Sequence, residues 1–346
     1  MKNLISGITI VFIFSSCAST EIVRMSVLEP APVTIPPTIK NVIVVNRTKV
    51  SSKSKVYDAV DKIVSLEGAR LDKEASEQVI IGLTDELKKN SRFDEVKMLL
   101  NPDITTNIPG GFPAPLSWNI VERYGKDNNA DALFSLELFD TDTKVDYSIY
   151  KTNVKTPFGN VPTLMQQANM NTLVKAGWRI YDIKDHEILD EAAVSKSLIY
   201  HGKGINPLLA AQALIDRKEA VKEAGNIAGH AFALRIIPLW ARVSRDYYVR
   251  GNNNFKMAKR MARTGNWDGA AKLWQQETSN KKKKIAGRAC YNMAIISEIN
   301  GDINGAIQWA AQSYENYNIH LALDYINILK NRQANDELAA NQQLAP

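Results

Sequence analysis

Apolar residues change their period along the chain, and each change predicts a different kind of element. Leu4 to Phe14 is an apolar run broken only by small residues, of leader length and short of the ~20 residues a bilayer-spanning helix needs. Asn41-Val42-Ile43-Val44-Val45-Asn46 is continuously apolar over a strand's length, the pattern of a central strand covered on both faces. Ala75, Val79, Ile80, Leu83 and Leu87 recur at helical spacing and predict a helix over Asp72 to Asn90, with Asp72 as its cap. Phe93 to Leu100 reads as a second strand. Leu116 to Lys126, with Trp118, Val121 and Tyr124 in step, reads as a second helix, and Ala130 to Phe134 leads into a third strand. Strands alternating with helices in this order predict an α/β body.

From Leu133 the period becomes two. Phe134, Leu136 and Leu138 share one parity, whereas Phe139, Val145, Tyr147 and Ile149 share the other, so a β-bulge is expected near Leu138, where one inserted residue restores the facing. Val174, Ala176, Trp178 and Ile180 alternate with Lys175, Arg179 and Tyr181. That strand is expected to turn near Lys184-Asp185 and return from Ile188 to Tyr200, giving long antiparallel strands in a mixed sheet. Asn206 as cap and Pro207 at the first helical position start a long helix, whose Gly225 and Gly229 should let it approach a sheet. Ile236 to Val249 reads as the last strand of the body. Beyond it, Ala258/Ala294, Gly265/Gly301, Trp267/Ile303 and Ala270/Ala306 repeat at a constant spacing of 36 residues. A fixed period in this range marks stacked helical hairpins: small residues let two helices approach, the glycine takes the turn, and the large residue after it plugs the hairpin. His320 to Leu329 is expected to cap the array.

Ser15-Ser16-Cys17-Ala18 resembles the lipobox of bacterial lipoproteins, with Phe14 at the usual leucine position, as in the looser lipoboxes of Bacteroidetes. The resemblance implies lipid attachment at Cys17 after removal of residues 1–17, and placement in the cell envelope at the outer membrane, in either leaflet. Pro30, Pro32, Pro36 and Pro37 then predict an extended tether over 18–38. The element order of the body and the phrase Asn129-Ala130-Asp131-Ala132 resemble the N-terminal domains of Tol-system B proteins and curli-type secretion lipoproteins; no functional residue follows from that likeness. The paired positions between Asn254 and Gln312 resemble the tetratricopeptide family, which implies a groove for peptide segments of partner proteins. As a whole the chain resembles a Bacteroidetes lipoprotein family with C-terminal tetratricopeptide-like repeats. The expected divisions are an α/β domain over 39–250, repeats with a capping helix over 251–332, and a disordered tail over 333–346.

Composition narrows the chemistry. The net charge is +6, most of it after Gly251, with Lys281 to Lys284 as the densest run; the excess reads as solvated helix surface and the run as a solvated turn. Two cysteines, Cys17 and Cys290, exclude a disulfide framework, and Cys290 is expected to be a small buried hydrophobe. His186, His201, His230 and His320 fall in no metal-ligand spacing, Asp140, Asp142 and Asp146 on one strand face lack a calcium-loop glycine, His201-Gly202-Lys203-Gly204 lacks phosphate-loop spacing, and Gly110-Gly111 lacks a following helix. Catalytic, metal and cofactor sites are therefore not expected. Trp240, Arg242, Arg245, Tyr247, Tyr248 and Arg250 interleave charge and ring, but export argues against nucleic acid and for a strand with one wet face. The expected function is a membrane-anchored scaffold that recruits another envelope protein through its repeats. The alternatives are a ring-forming secretion or channel accessory, for which self-association is expected, and an envelope enzyme accessory acting on polysaccharide.

Overall fold

The β-branched run Asn41–Asn46 forms strand β2, buried on both faces, because flanking strands and helices remove it from water on every side. In the computed structural model, residues 19–48, 68–100, 102–104, 112–214 and 217–343 are described. Helix α1 (Gly68–Lys89) follows β2 and leads to β3 (Glu95–Leu99), and helix α2 (Trp118–Asn128) leads to β4 (Ala132–Thr156). The sheet continues through β5 (Gly159–Asp182) and β6 (Glu187–Gly204), in the order β3-β2-β4-β5-β6. β2 is parallel to β3 and β4, and β4, β5 and β6 are mutually antiparallel. The chain steps from β2 to one side and then crosses to the other, which puts α1 and α2 on opposite faces. Val42, Val44, Phe134, Leu136, Trp178 and Ile180 meet α1 and a later helix on one face, while Ile43, Val45, Leu133 and Tyr181 meet Val121 and Tyr124 of α2 on the other. The N-terminal region is thus α/β with a mixed sheet and long antiparallel strands, and the C-terminal region is all-helical with five helices.

The bulge sits where the parity switch places it. Leu136 faces Trp178 and Leu138 faces Gly177, so Glu137 is the extra residue, and Phe139 packs against the core that holds Phe134 and Leu136. Other expectations change. α1 begins at Gly68, which makes Asp72 an internal residue and not a cap. The helix expected from Pro207 is two: α3 (Pro207–Gln212), capped by the Asn206 side chain accepting from Leu209 N–H, and α4 (Arg217–Ala233). Gly225 and Gly229 of α4 lie against helix α1, not against a sheet. A Cβ on Gly229 would stand 2.1 Å from the Val79 carbonyl oxygen, and one on Gly82 of α1 would stand 2.2 Å from that of Asn226. Backbone is in contact with backbone at this crossing, and only glycine fits there.

The chain divides into two units, and their limits differ from the expected ones: the described residues up to Glu29 join Trp240–Glu337, and those of Pro30–Leu239 join the described residues from Leu338 on. The stretch expected as a tether is built into the fold. It contains strand β1 (Thr20–Glu29), and Ala31, Ile35 and Ile39 are buried. Its prolines stiffen a packed segment, and the Arg92 guanidinium donates to the carbonyls of Ile35 and Pro36. Strand β7 (Leu239–Tyr248) pairs with β1 and not with the large sheet. The same unit holds helices α5 (Asn253–Arg263), α6 (Trp267–Glu277), α7 (Lys283–Ile299) and α8 (Ile303–Glu315). The capping helix is longer than expected: α9 runs His320–Gln343. The tail expected to be disordered is therefore helical to Gln343, with Ala339 and Gln342 buried. The Gln342 amide accepts from Ala31 N–H at 2.7 Å and donates to the Ala31 carbonyl at 2.9 Å.

Candidate functional site

The two helical hairpins repeat each other down to their caps. Gly265 and Gly301 have φ of 79° and 80°, a left-handed turn that a side chain would strain. Asn266 and Asp302 then cap α6 and α8, their side chains accepting from Gly269 N–H at 2.9 Å and Gly305 N–H at 2.8 Å. Ala258, Ala270, Ala294 and Ala306 are fully buried, and Trp267 and Ile303 pack against the same core. The residues singled out by the 36-residue spacing thus lie together between α5, α6, α7 and α8. Cys17 lies outside the described residues.

One face of these helices is filled by the unit's own strand. The Asn292 side chain on α7 accepts from Tyr248 N–H at 2.7 Å and donates to the Tyr248 carbonyl at 2.7 Å, so an amide side chain takes the place of a neighbouring strand. Tyr247 packs edge-on against Trp267 of α6. Glu21 of β1 receives Lys259 at 2.7 Å, Arg263 at 2.5 Å and the Tyr247 hydroxyl at 3.1 Å. Burial pushes its carboxyl up, but these donors outweigh it and hold it at about 2. Glu298, on α7, has a fully buried side chain. It accepts both Arg245 nitrogens at 3.0 Å, Arg332 at 2.7 Å and the Tyr325 hydroxyl at 2.5 Å. Burial opposes ionisation there too, yet the three donors leave its carboxyl below the ordinary range.

A second buried carboxylate stands at the bulge. The carboxyl end of β2 and the neighbouring bulge of β4 form the switch point of the sheet, the place where open α/β sheets bind ligands. Arg47 follows β2 and lies 2.7 Å from Glu137, the Tyr181 hydroxyl donates to Glu137 at 3.2 Å, and Arg179 stands 3.6 Å away. Arg179 also donates to Glu191 at 2.8 Å and to the Pro113 carbonyl at 3.2 Å, Arg47 donates to the Ala114 carbonyl at 3.1 Å, and Leu116 N–H donates to Tyr181 at 3.0 Å. The cluster therefore pins the segment before α2 onto the sheet. Burial raises the Glu137 carboxyl above its ordinary range against the pull of both guanidiniums. Its side chain is fully buried and that of Arg179 is 3% exposed, so the carboxylate is sealed, and the cluster meets solvent only through Glu191 and the edge of Arg47. The parity switch placed a bulge near Leu138 but did not single out Glu137, the residue it inserts. Its partners lie 90 and 42 positions away in the chain, and no local signal ties them to it.

The remaining candidates are scattered. His186 stacks on Trp118 and meets Glu122 at 2.7 Å, His230 meets Glu86 at 2.8 Å, His201 bonds Asn169 at 2.8 Å, and His320 packs near Tyr314. Asp142 pairs with Lys144 at 3.4 Å, and Asp146 accepts from Asn169 at 3.1 Å. Among the described residues no three His, Cys, Asp or Glu side chains converge as metal ligands. Cys290 is buried, and burial pushes its thiol up to about 11. In β7, Arg245 faces Glu298 while Trp240 is exposed, a strand with one wet face. Lys281 to Lys284 are exposed, and Gly110-Gly111 lies outside the described residues. No described helix is long and apolar enough to cross a membrane.

The model of a family defined by a domain of unknown function (DUF8603) matches residues 39–248, more than half of the chain. The chain belongs to that family. The model of a second domain of unknown function (DUF6340) matches residues 256–331, the helical hairpins and the first half of α9. No curated protein matches the sequence. Among solved structures the chain is similar to the PelC dodecamer from Paraburkholderia phytofirmans, at 10% identity and a TM-score of 0.26, covering 62% of this chain and 96% of that one. It is also similar to a neuraminyllactose-binding hemagglutinin homologue from Helicobacter pylori, at 11% identity and a TM-score of 0.23, covering 59% and 83%. Scores this low establish neither a shared architecture nor a shared activity.

Proposed function

We propose that the chain is an envelope lipoprotein of Bacteroidetes, acylated at Cys17 and held at the outer membrane, whose tetratricopeptide-like hairpins recruit another envelope protein. The observation that carries this reading is the Asn292 amide clasping Tyr248 N–H and carbonyl together: a face of the hairpins holds extended chain through its backbone, the way helical repeats hold peptide segments. Here the unit's own β7 supplies that chain, which leaves the outer surfaces of α5 to α8 for a partner. The reading of an enzyme accessory acting on polysaccharide draws less support, because the carboxylate at the sheet's switch point is sealed. A crosslinking pull-down from intact cells, with the acylated protein beside a Cys17→Ser control, tests the proposal. One dominant envelope partner that disappears in the control is the expected result; an unchanged set of partners in both arms overturns tethered recruitment.

A further inference from the structure

The far end of the β4–β5 hairpin holds apolar side chains out in water. β6 pairs with β5 only as far as Gln166; from there to the turn, about 25 Å of strand, β5 continues paired with β4. Thr156 and Gly159 are the last pair, and Pro157-Phe158 make the turn. The turn is fixed in three ways: proline restricts its own φ, Gly159 takes a φ of 115°, and the Thr156 hydroxyl donates to the Gly159 carbonyl at 2.8 Å while accepting from Phe158 N–H at 3.3 Å. Phe158 is thereby held 99% exposed at the tip. Val154 and Val161 face each other just behind it, 39% and 48% exposed, and Leu164 follows at 59%. Single exposed apolar residues are ordinary, but a cluster of them on a preordered projection marks a binding surface.

The charge around the tip has one sign. From Tyr147 to Tyr181 the chain has no acidic residue, while Lys151 and Lys155 are exposed on the strand that leads to the turn. We propose that the β4–β5 tip docks on an anionic phospholipid bilayer, with Phe158, Val154 and Val161 entering the boundary between headgroups and acyl chains and the two lysines meeting headgroup phosphates. Interfacial anchors of this kind sink by about 5–10 Å. Val154 stands two residues behind Thr156, about 7 Å of strand, so that depth takes in the apolar cluster nearest the turn. Lysine stems lie along apolar surface while their ammonium groups stay at headgroup level, where an anionic leaflet attracts them. A convex tip enters a fluid surface without a matching cavity, whereas an acidic protein would have to supply a pocket for Phe158 as well as counter-charges. The contact needs no acyl chain and stands apart from acylation at Cys17.

The test uses residues 18–346, which keep every described residue and leave out the leader and Cys17, so its failure would leave acylation untouched. Cosedimentation is expected with vesicles of mixed phosphatidylglycerol and phosphatidylcholine, and not with phosphatidylcholine alone. Phe158→Ser is expected to weaken binding about tenfold, and Lys151→Ala with Lys155→Ala about thirtyfold, about fivefold for each lysine. Because Cys290 is buried, Phe158→Cys carries an environment-sensitive dye at the tip, and Lys184→Cys carries it in the turn beyond the other end of β5. The dye is expected to shift to the blue on anionic vesicles at 158 and not at 184. Thermal melts matched to the unsubstituted chain confirm that each variant folds, as all four positions are exposed. No binding to anionic vesicles, equal binding to phosphatidylcholine, binding indifferent to Phe158→Ser, or a dye at 158 that shifts with protein concentration in the absence of lipid, which would mean that a second copy covers the tip, each overturns the proposal.

Discussion

Each unit buries one glutamate completely, and the two are held in opposite ways. Glu298 in the helical unit accepts from Arg245, Arg332 and Tyr325, a full set of charged and neutral donors at 3.0 Å or less. Its ionised form is favoured in spite of burial. Glu137 in the sheet unit has one close guanidinium, one long hydroxyl contact and a second guanidinium at 3.6 Å that is shared with Glu191, and burial wins. The difference lies in the number of donors per carboxylate. Burial costs both groups several kcal/mol of lost hydration, and only well-placed hydrogen bonds offset it. On the helix face donors converge from two other elements, β7 and α9, whereas the bulge in the sheet draws mainly on the adjacent strands.

The largest effect should follow from removing the better-satisfied charge. Glu298→Gln leaves Arg245 without its counter-charge and Arg332 with only Asp336 at 3.5 Å, and is expected to cost about 3–5 kcal/mol in urea unfolding; a loss below about 1 kcal/mol would show that the arginines re-pair elsewhere. Next come the helix crossings. Gly229→Ala drives a Cβ into the Val79 carbonyl and is expected to cost about 1–3 kcal/mol through overpacking, against about 1 kcal/mol for Ala294→Gly, which loses mainly helix propensity. Equal costs at the two crossings would mean that α1 and α4 can separate freely. Glu137→Gln is expected to cost less than Glu298→Gln, under about 2 kcal/mol at neutral pH, because the neutral amide gives up an ion pair but removes a disfavoured buried charge.

The smallest effect is one of sign and is read from the pH dependence. A carboxyl held below its unfolded value of 4.5, as in Glu298, contributes stability that is present above that value and lost as pH falls through the folded one. Glu21 behaves likewise, its share disappearing only as pH approaches about 2. Glu137, raised by burial, works in reverse: its ionised form weakens the fold at high pH, and the penalty fades as pH falls through its raised value. Glu298→Gln should therefore flatten the acid loss of stability and Glu137→Gln should steepen it, in unfolding curves taken between neutral pH and pH 3. Slopes that shift in the same direction would break the contrast.

How much of this was legible in the sequence depended on the range of the signal. The bulge could be read because it reverses a parity within one strand, and the hairpins because Gly265 and Gly301 must take positive φ wherever they fold. The helix crossing was half legible: Gly225 and Gly229 announced a close approach, but nothing local told a helix from a sheet as the partner. Residues 18–38 were misread because proline-rich, weakly patterned sequence has the same composition whether it hangs free or is packed, and only Ile35 and Ile39 meeting a core decides. The two buried glutamates look like any other acidic residue in the chain.

By itself the sequence determined most element types, the inward faces of the strands and the duplicated hairpins, since propensity, parity and turn chemistry act over a few residues. Tertiary structure alone decided that β1 and β7 leave the large sheet and join the helices, that α9 continues to Gln343, and which arginines stand beside Glu137 and Glu298. These outcomes rest on contacts between distant parts of the chain. Their free energy depends on which surfaces are brought together and dehydrated, a property that no short window of residues carries.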